Sequence, residues 1–187
     1  DGGHEPWSFK EVEIGEEYAR PDLSRVITMA LHTGQRGSDI VRMVPNDIEE
    51  KYDPIFNAKH RGINVTQQKT GRRLWVPFTV EFERILSTWE RKPGPFILKP
   101  DGGVFTRPQL SAHWNFERDT KEPLKPLKER ELVIHGLRAT AVVRARKSGL
   151  STLQISNWFG MSEPMVARYS RLADQGEMAM AAVHFID

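Results

Sequence analysis

The 187-residue sequence contains no cysteine, which excludes disulfide frameworks and cysteine-ligated zinc or iron–sulfur centres. It has no apolar run near the roughly 18–20 residues a membrane span needs, and no signal-peptide core. It also lacks a Gly-rich phosphate loop ending in Lys-Ser/Thr, an HExxH helix, a GxSxG elbow and a dinucleotide fingerprint. Its six histidines (His4, His32, His60, His113, His135 and His184) are scattered, with no two spaced to share a metal. These absences argue against metal-dependent and ATP-driven chemistry. The expectation is no metal and no cofactor. An excess of one charge is missing too: 27 Lys+Arg against 25 Asp+Glu leave +2.

That sum hides a lopsided distribution. In the first fifty residues Glu11, Glu13, Glu16, Glu17, Asp22, Asp39, Asp47, Glu49 and Glu50 outnumber Lys10, Arg20, Arg25, Arg36 and Arg42. Between Lys51 and Trp75 the balance inverts, with Lys51, Lys59, Arg61, Lys69, Arg72 and Arg73 against Asp53. From His135 to Leu172, Arg138, Arg144, Arg146, Lys147, Arg168 and Arg171 face Glu163 alone. Local basic zones of this kind neutralise phosphates even when an acidic flank cancels them in the total.

The chain opens on Asp1 without an initiator methionine, and residues 1–7 read as a loop, as in a domain taken from a longer product. Apolar residues at helical spacing predict helices over Asp22–Thr33, with Asp22 as cap and Gly34 as stop, and over Arg36–Met43. Ile63 to Val76 reads as two strands around a Lys69-Thr-Gly turn. Further helices are expected over Val80–Trp89, Arg107–Lys121, His135–Ser148, Ser151–Phe159, Glu163–Tyr169 and Gln175–Phe185. Glu122 to Arg130, with two prolines and mixed charge, reads as a mobile connector. Trp75, Trp89, Trp114 and Trp158 read as core residues. The fold class expected is α+β, mainly helical, with a small antiparallel sheet.

Candidate chemistry lies in the basic zones. Arg36 sits between a helix stop and a helix start, with Asp39 three residues on, placed to hold its guanidinium. Lys69 lies at a hairpin tip. His135 and Arg138 share one face of a first helical turn, and Tyr169 stands between Arg168 and Arg171. Singly, each is an ordinary surface or packing residue. Together, two arginines, a lysine, a histidine and a tyrosine suit a phosphodiester: the arginines bind non-bridging oxygens and the lysine protonates a leaving alkoxide.

The order Thr-Gly-Gln-Arg36-Gly-Ser-Asp39, Lys69-Thr-Gly, His135-Gly-Leu-Arg138 and Gly160-Met-Ser…Arg168-Tyr169 resembles the catalytic domain of tyrosine recombinases, the phage integrase family, from about Leu23 to Ala173. The resemblance implies that Tyr169 attacks the scissile phosphate to give a 3′-phosphotyrosyl link and a free 5′-hydroxyl. It implies that Arg36 and Arg138 bind that phosphate, that Lys69 protonates the leaving oxygen, and that His135 assists proton transfer. Asp39 matches the family's supporting acid. Arg72, Arg73, Arg144 and Arg168 are expected DNA contacts. The family usually has histidine or tryptophan where this chain has Met161, and a thioether cannot donate a hydrogen bond. Three readings follow: the arginines suffice, Trp158 turns its indole N–H inward, or this copy is impaired.

The domain expectation is a linker or extension over residues 1–21, the tyrosine recombinase catalytic-domain fold over 22–175 and a C-terminal helix or tail over 176–187, without the family's N-terminal core-binding domain. The partners implied are double-stranded DNA and other protomers in a tetrameric synapse, with no membrane, in a bacterial or phage-encoded cytoplasmic setting. The rivals are an impaired homologue acting as a DNA-binding or regulatory module, a type IB topoisomerase, and an unrelated helical scaffold.

Overall fold

Ser8 opens the first helix by a reciprocal cap: its hydroxyl accepts the Glu11 N–H (3.3 Å) and the Glu11 carboxylate accepts the Ser8 N–H (2.7 Å). In the computed structural model, which describes residues 4–171 with Ala179, Met180 and Val183, this helix is α1 (Phe9–Tyr18). Within the stretch expected as an N-terminal linker or extension, α1 packs into the core through Val12. Trp7, 2% exposed, ties the segment before it to the far end of the chain by donating to the Val133 carbonyl (3.0 Å) and the Thr140 hydroxyl (2.8 Å).

Helix α2 (Pro21–Thr33) is the central element, with Leu23, Val26 and Ile27 fully buried against α1 and α7 (Leu137–Lys147). Asp22 is not its cap. Pro21 takes the first position, where a missing N–H costs nothing, and Asp22 instead accepts two hydrogen bonds from Arg20 (2.7 and 2.9 Å). Gly34 ends α2 at φ +64, a left-handed conformation that glycine adopts without strain. A short helix, α3 (Gly37–Ile40), follows within the stretch expected to be helical.

The sheet has three antiparallel strands in the order β1 (Ile48–Asp53), β2 (Ala58–Thr66) and β3 (Arg73–Pro77). Thr66 pairs with Arg73, so residues 67–72 form the turn that carries Lys69. β1 was not expected: only its two ends are partly buried, so the alternation that signals a strand is missing.

The helices α4 (Val80–Ser87), α5 (Arg107–Thr120), α8 (Thr152–Phe159) and α9 (Glu163–Ser170) fall where the apolar spacing placed them. The connector is not a connector. Residues 122–124 form a 3-10 turn leading into α6 (Lys125–Glu129), and Leu124 and Leu127 are fully buried; both prolines sit in first turns, where they start helices. The His135 segment opens on a 3-10 turn (Ile134–Gly136) before α7 begins. Trp114 is a core residue, while Trp75, Trp89 and Trp158 are only half-buried. The helix expected at Gln175–Phe185 lies outside the described residues, except for Ala179, Met180 and Val183. Among the described residues no helix is long and apolar enough to cross a membrane.

Two apolar clusters result. The larger joins α1, α2, α5, α6 and the sheet; the smaller joins α7, α8 and α9 through Val142, Ile155, Phe159, Met161, Val166 and Tyr169. The site forms where the two clusters meet.

Candidate active site

Gly34 organises the site. An added Cβ there would come within 2.5 Å of Phe159, so the chain passes α8 closely, and its free carbonyl accepts a hydrogen bond from Arg138 Nη1 at 2.7 Å. Arg138 is 1% exposed, yet its Nε and Nη2 have no hydrogen-bond partner. Two residues beyond Gly34, Arg36 stands at the head of α3, and its buried Nη1 is also without a partner. Buried guanidinium N–H groups left unmade are costly. Their presence side by side marks a place prepared for an anion.

Both arginines open on a cavity of about 1050 Å³ that Lys69, His135, Arg168 and Tyr169 also line. Arg107 and His4 complete its basic wall, and no Asp or Glu is among the described lining residues. Burial first, and then the Arg36 charge, pull the Arg138 pKa down to about 10, opposed by Tyr169 and Asp39; the guanidinium stays charged at neutral pH. Tyr169 is 7% exposed. Its phenol opposes the downward pull on Arg138 both by charge and by side-chain hydrogen bonding, although neither Nε nor Nη2 meets it in full hydrogen-bond geometry.

Burial, followed by Arg138, His4, Arg36 and Arg107, holds the His135 pKa down to about 4. At neutral pH its imidazole is therefore uncharged and can accept a proton. The His4 ring lies edge-on to it, centroids 5.1 Å apart. Gly136 lets the N-terminal segment pass: a Cβ there would sit 2.2 Å from the Glu5 carbonyl oxygen.

The sequence-expected residues divide into those the cavity gathers and those it does not. Arg36, Lys69, His135, Arg138, Arg168 and Tyr169 line it. Asp39 does not hold Arg36. It is 4% exposed, and its Oδ1 accepts the backbone N–H of Gln68 at 2.9 Å, bracing the Lys69 turn instead. Trp158 does not turn inward: its indole N–H donates to the Pro77 carbonyl at 3.1 Å. Met161, 2% exposed, is packed in the smaller apolar cluster and is not among the lining residues. Arg144 lies away from the cavity, ion-paired with Glu81 and donating to His32 Nδ1. Arg72 and Arg73 are exposed beside the turn, and Arg73 lines a separate cavity under the sheet.

No family model matches the sequence, and no curated protein matches it. Solved structures do. Over 90% of this chain, a lambda integrase dimer bound to a COC′ core site superposes with a TM-score of 0.65 at 17% identity. XerA recombinase does so over 97% at 0.67 and 18% identity, and the bacteriophage HP1 integrase catalytic domain over 97% at 0.60 and 18%. The fold is that of the tyrosine recombinase catalytic domains. This chain spans 60% of the lambda integrase chain and 66% of XerA, but 95% of the HP1 catalytic domain.

Within this recombinase fold, sequence reasoning missed several lining residues. Arg107, Ser111 and Asn115 recur every four residues on α5 and all face the cavity. That spacing was visible, but nothing local says which face of α5 meets the site. His4 arrives through the tertiary anchoring of Trp7 and has no sequence signal.

Proposed function

We propose that this chain is the catalytic domain of a site-specific DNA recombinase of the integrase type. It cleaves and rejoins double-stranded DNA through a 3′-phosphotyrosyl link on Tyr169. The observation that carries this reading is the meeting of Tyr169 with buried Arg138 and half-buried Arg36, which together hold three buried guanidinium nitrogens without a partner, on a cavity wall with no Asp or Glu among its described lining residues. The phenolate oxygen forms a bond to phosphorus as the bond to the 5′-oxygen breaks. Arg36 and Arg138 bind the non-bridging oxygens and stabilise the added charge of the transition state. Neutral His135 accepts the phenol proton, and Lys69 supplies one to the departing 5′-oxygen. The link conserves the energy of the broken bond, so a second transesterification rejoins the strand.

The lambda integrase structure, a dimer on a core site, supports DNA and further protomers as partners. Integration or excision of a mobile element in a bacterial or phage setting follows as the biological role. The second reading, a catalytically impaired homologue acting as a DNA-binding or regulatory module, is favoured by one observation: Met161 stands in an apolar cluster and offers no donor.

Incubation with a library of nicked duplexes of random sequence separates these readings. The expected result is a denaturant-resistant protein–DNA adduct that Tyr169→Phe abolishes. DNA retention without any adduct would favour the impaired module. Relaxation of plasmid without sequence preference would instead indicate a type IB topoisomerase.

A further inference from the structure

Two buried glutamines join the three segments that carry the proposed chemistry. Gln35 and Gln67 are each 1% exposed and come from different parts of the chain, one beside Arg36 and one at the start of the Lys69 turn. Gln67 Nε2 donates to Gln35 Oε1 at 2.8 Å. Gln35 Nε2 donates to the Thr33 and Phe159 carbonyls, both at 2.9 Å, and Gln67 Nε2 also approaches the Phe159 carbonyl at 3.3 Å. At the outer end, Thr70 Oγ1 donates to Gln67 Oε1 at 3.0 Å.

Both amide nitrogens face carbonyl oxygens, so the network fixes their orientation. The Phe159 carbonyl is the last of α8, one of the helix-end groups with no partner inside the helix. The Gln67 backbone clamps the same turn, its N–H on the Arg72 carbonyl (2.9 Å) and its carbonyl under the Gly71 N–H (2.8 Å). Gly160 fits this crowding: a Cβ there would lie 3.0 Å from Gln67 Nε2.

We infer that Gln35 and Gln67 are positioning residues that lock the exposed Lys69 turn to the Arg36 segment and to the α8–α9 junction leading to Tyr169. The inference rests on the proposed strand cleavage. Lys69 stands on a six-residue loop whose tip is open to solvent, and a long lysine there loses its geometry unless the loop base is held. The buried amides hold that base. They touch no reacting atom themselves.

The test compares an ordinary nicked duplex with one whose leaving 5′-oxygen at the cleaved bond is replaced by sulfur. A thiolate, from a thiol of pKa about 8.5, departs without a proton, so this substrate makes the acid dispensable. Gln67→Met keeps the volume and removes the amide. The expected result is a loss of cleavage of about 10- to 100-fold on the oxygen substrate, a partial loss of the roughly 10²–10⁴-fold that a positioned acid contributes, and a rate within a few-fold of the parent on sulfur. Equal loss on both substrates, or no loss on either, would overturn the inference. If Gln67→Met does not fold, Thr70→Val decides, with a smaller loss of the same oxygen-only pattern expected and any other pattern overturning it. No adduct from the parent protein on either substrate would sink the cleavage reading itself, a separate outcome.

Discussion

Arg138 Nη1 donates to the Gly34 carbonyl across 104 positions of sequence, leaving its Nε and Nη2 buried without partners. The bond fixes the guanidinium plane, and the two unmade donors are then held facing the same way. A buried charge with unmade hydrogen bonds destabilises the free protein. Replacing it by an apolar side chain of similar length should therefore stabilise the fold while removing function. Arg138→Met is expected to raise the unfolding free energy by about 1 kcal/mol, the Gly34 carbonyl's lost donor offsetting part of a larger gain, and to cut adduct formation by about 10²–10³-fold. Urea unfolding and adduct yield check the two halves; a less stable variant would mean that those N–H groups are satisfied in solution.

What could be read in sequence was local. Arg36, His135, Arg138 and Tyr169 stand in short motifs, and each lies near a helix end; beside Arg36 the end is marked by the glycine stop at Gly34. What could not be read depends on distant partners. Asp39 looked like a brace for Arg36 because both share one helical turn, but its partner is Gln68, from the β2–β3 turn. Arg144 looked like a DNA contact because it lies in a basic zone; Glu81 and His32, 63 and 112 positions away, occupy it. Leu124 and Leu127 were obscured by the prolines beside them, which read as breakers and act as helix starts.

His135 should titrate near pH 4 in the free protein, because burial and the surrounding arginines disfavour its charged form. A bound phosphate diester brings negative charge to the same wall and reverses that balance. Adding a short duplex is expected to move the His135 titration, followed by NMR of its imidazole carbons, up by about one pH unit or more. An unchanged value would place the phosphate elsewhere.

His32 supplies a pH dependence of stability unrelated to the site. It is 6% exposed, stacks on Phe82 with centroids 4.7 Å apart, and accepts from Arg144 through Nδ1, a bond that only the unprotonated nitrogen can accept. Burial, then the Arg144 charge, lower its pKa to about 4. The unfolded chain, near the ordinary histidine value of about 6.5, binds the proton first. The stability from this group is therefore fully present above pH 6.5 and is lost as pH falls toward 4, at up to about 1.4 kcal/mol per pH unit. His32→Gln retains an acceptor for Arg144 without a titrating group. Its unfolding free energy should fall less steeply between pH 6.5 and 4.5 than the parent's, and an identical slope would assign the dependence to other groups.

Met161 tests where the phosphate sits. Its side chain is packed among Phe159, Val166 and Tyr169 behind the cavity wall, and Ser156 donates to its carbonyl at 2.6 Å, which fixes its backbone. A histidine at this position would bury an imidazole among apolar groups, at a cost of about 1–3 kcal/mol. It would reach the phosphate only by displacing that packing. Met161→His is therefore expected to lower the urea midpoint and to leave the cleavage rate unchanged or reduced. A tenfold increase would show that the α8–α9 junction rearranges on DNA to bring position 161 to the phosphate, and that the absent donor limits the free chain. With neither change, Arg36 and Arg138 carry the charge of the transition state without a third donor from this junction.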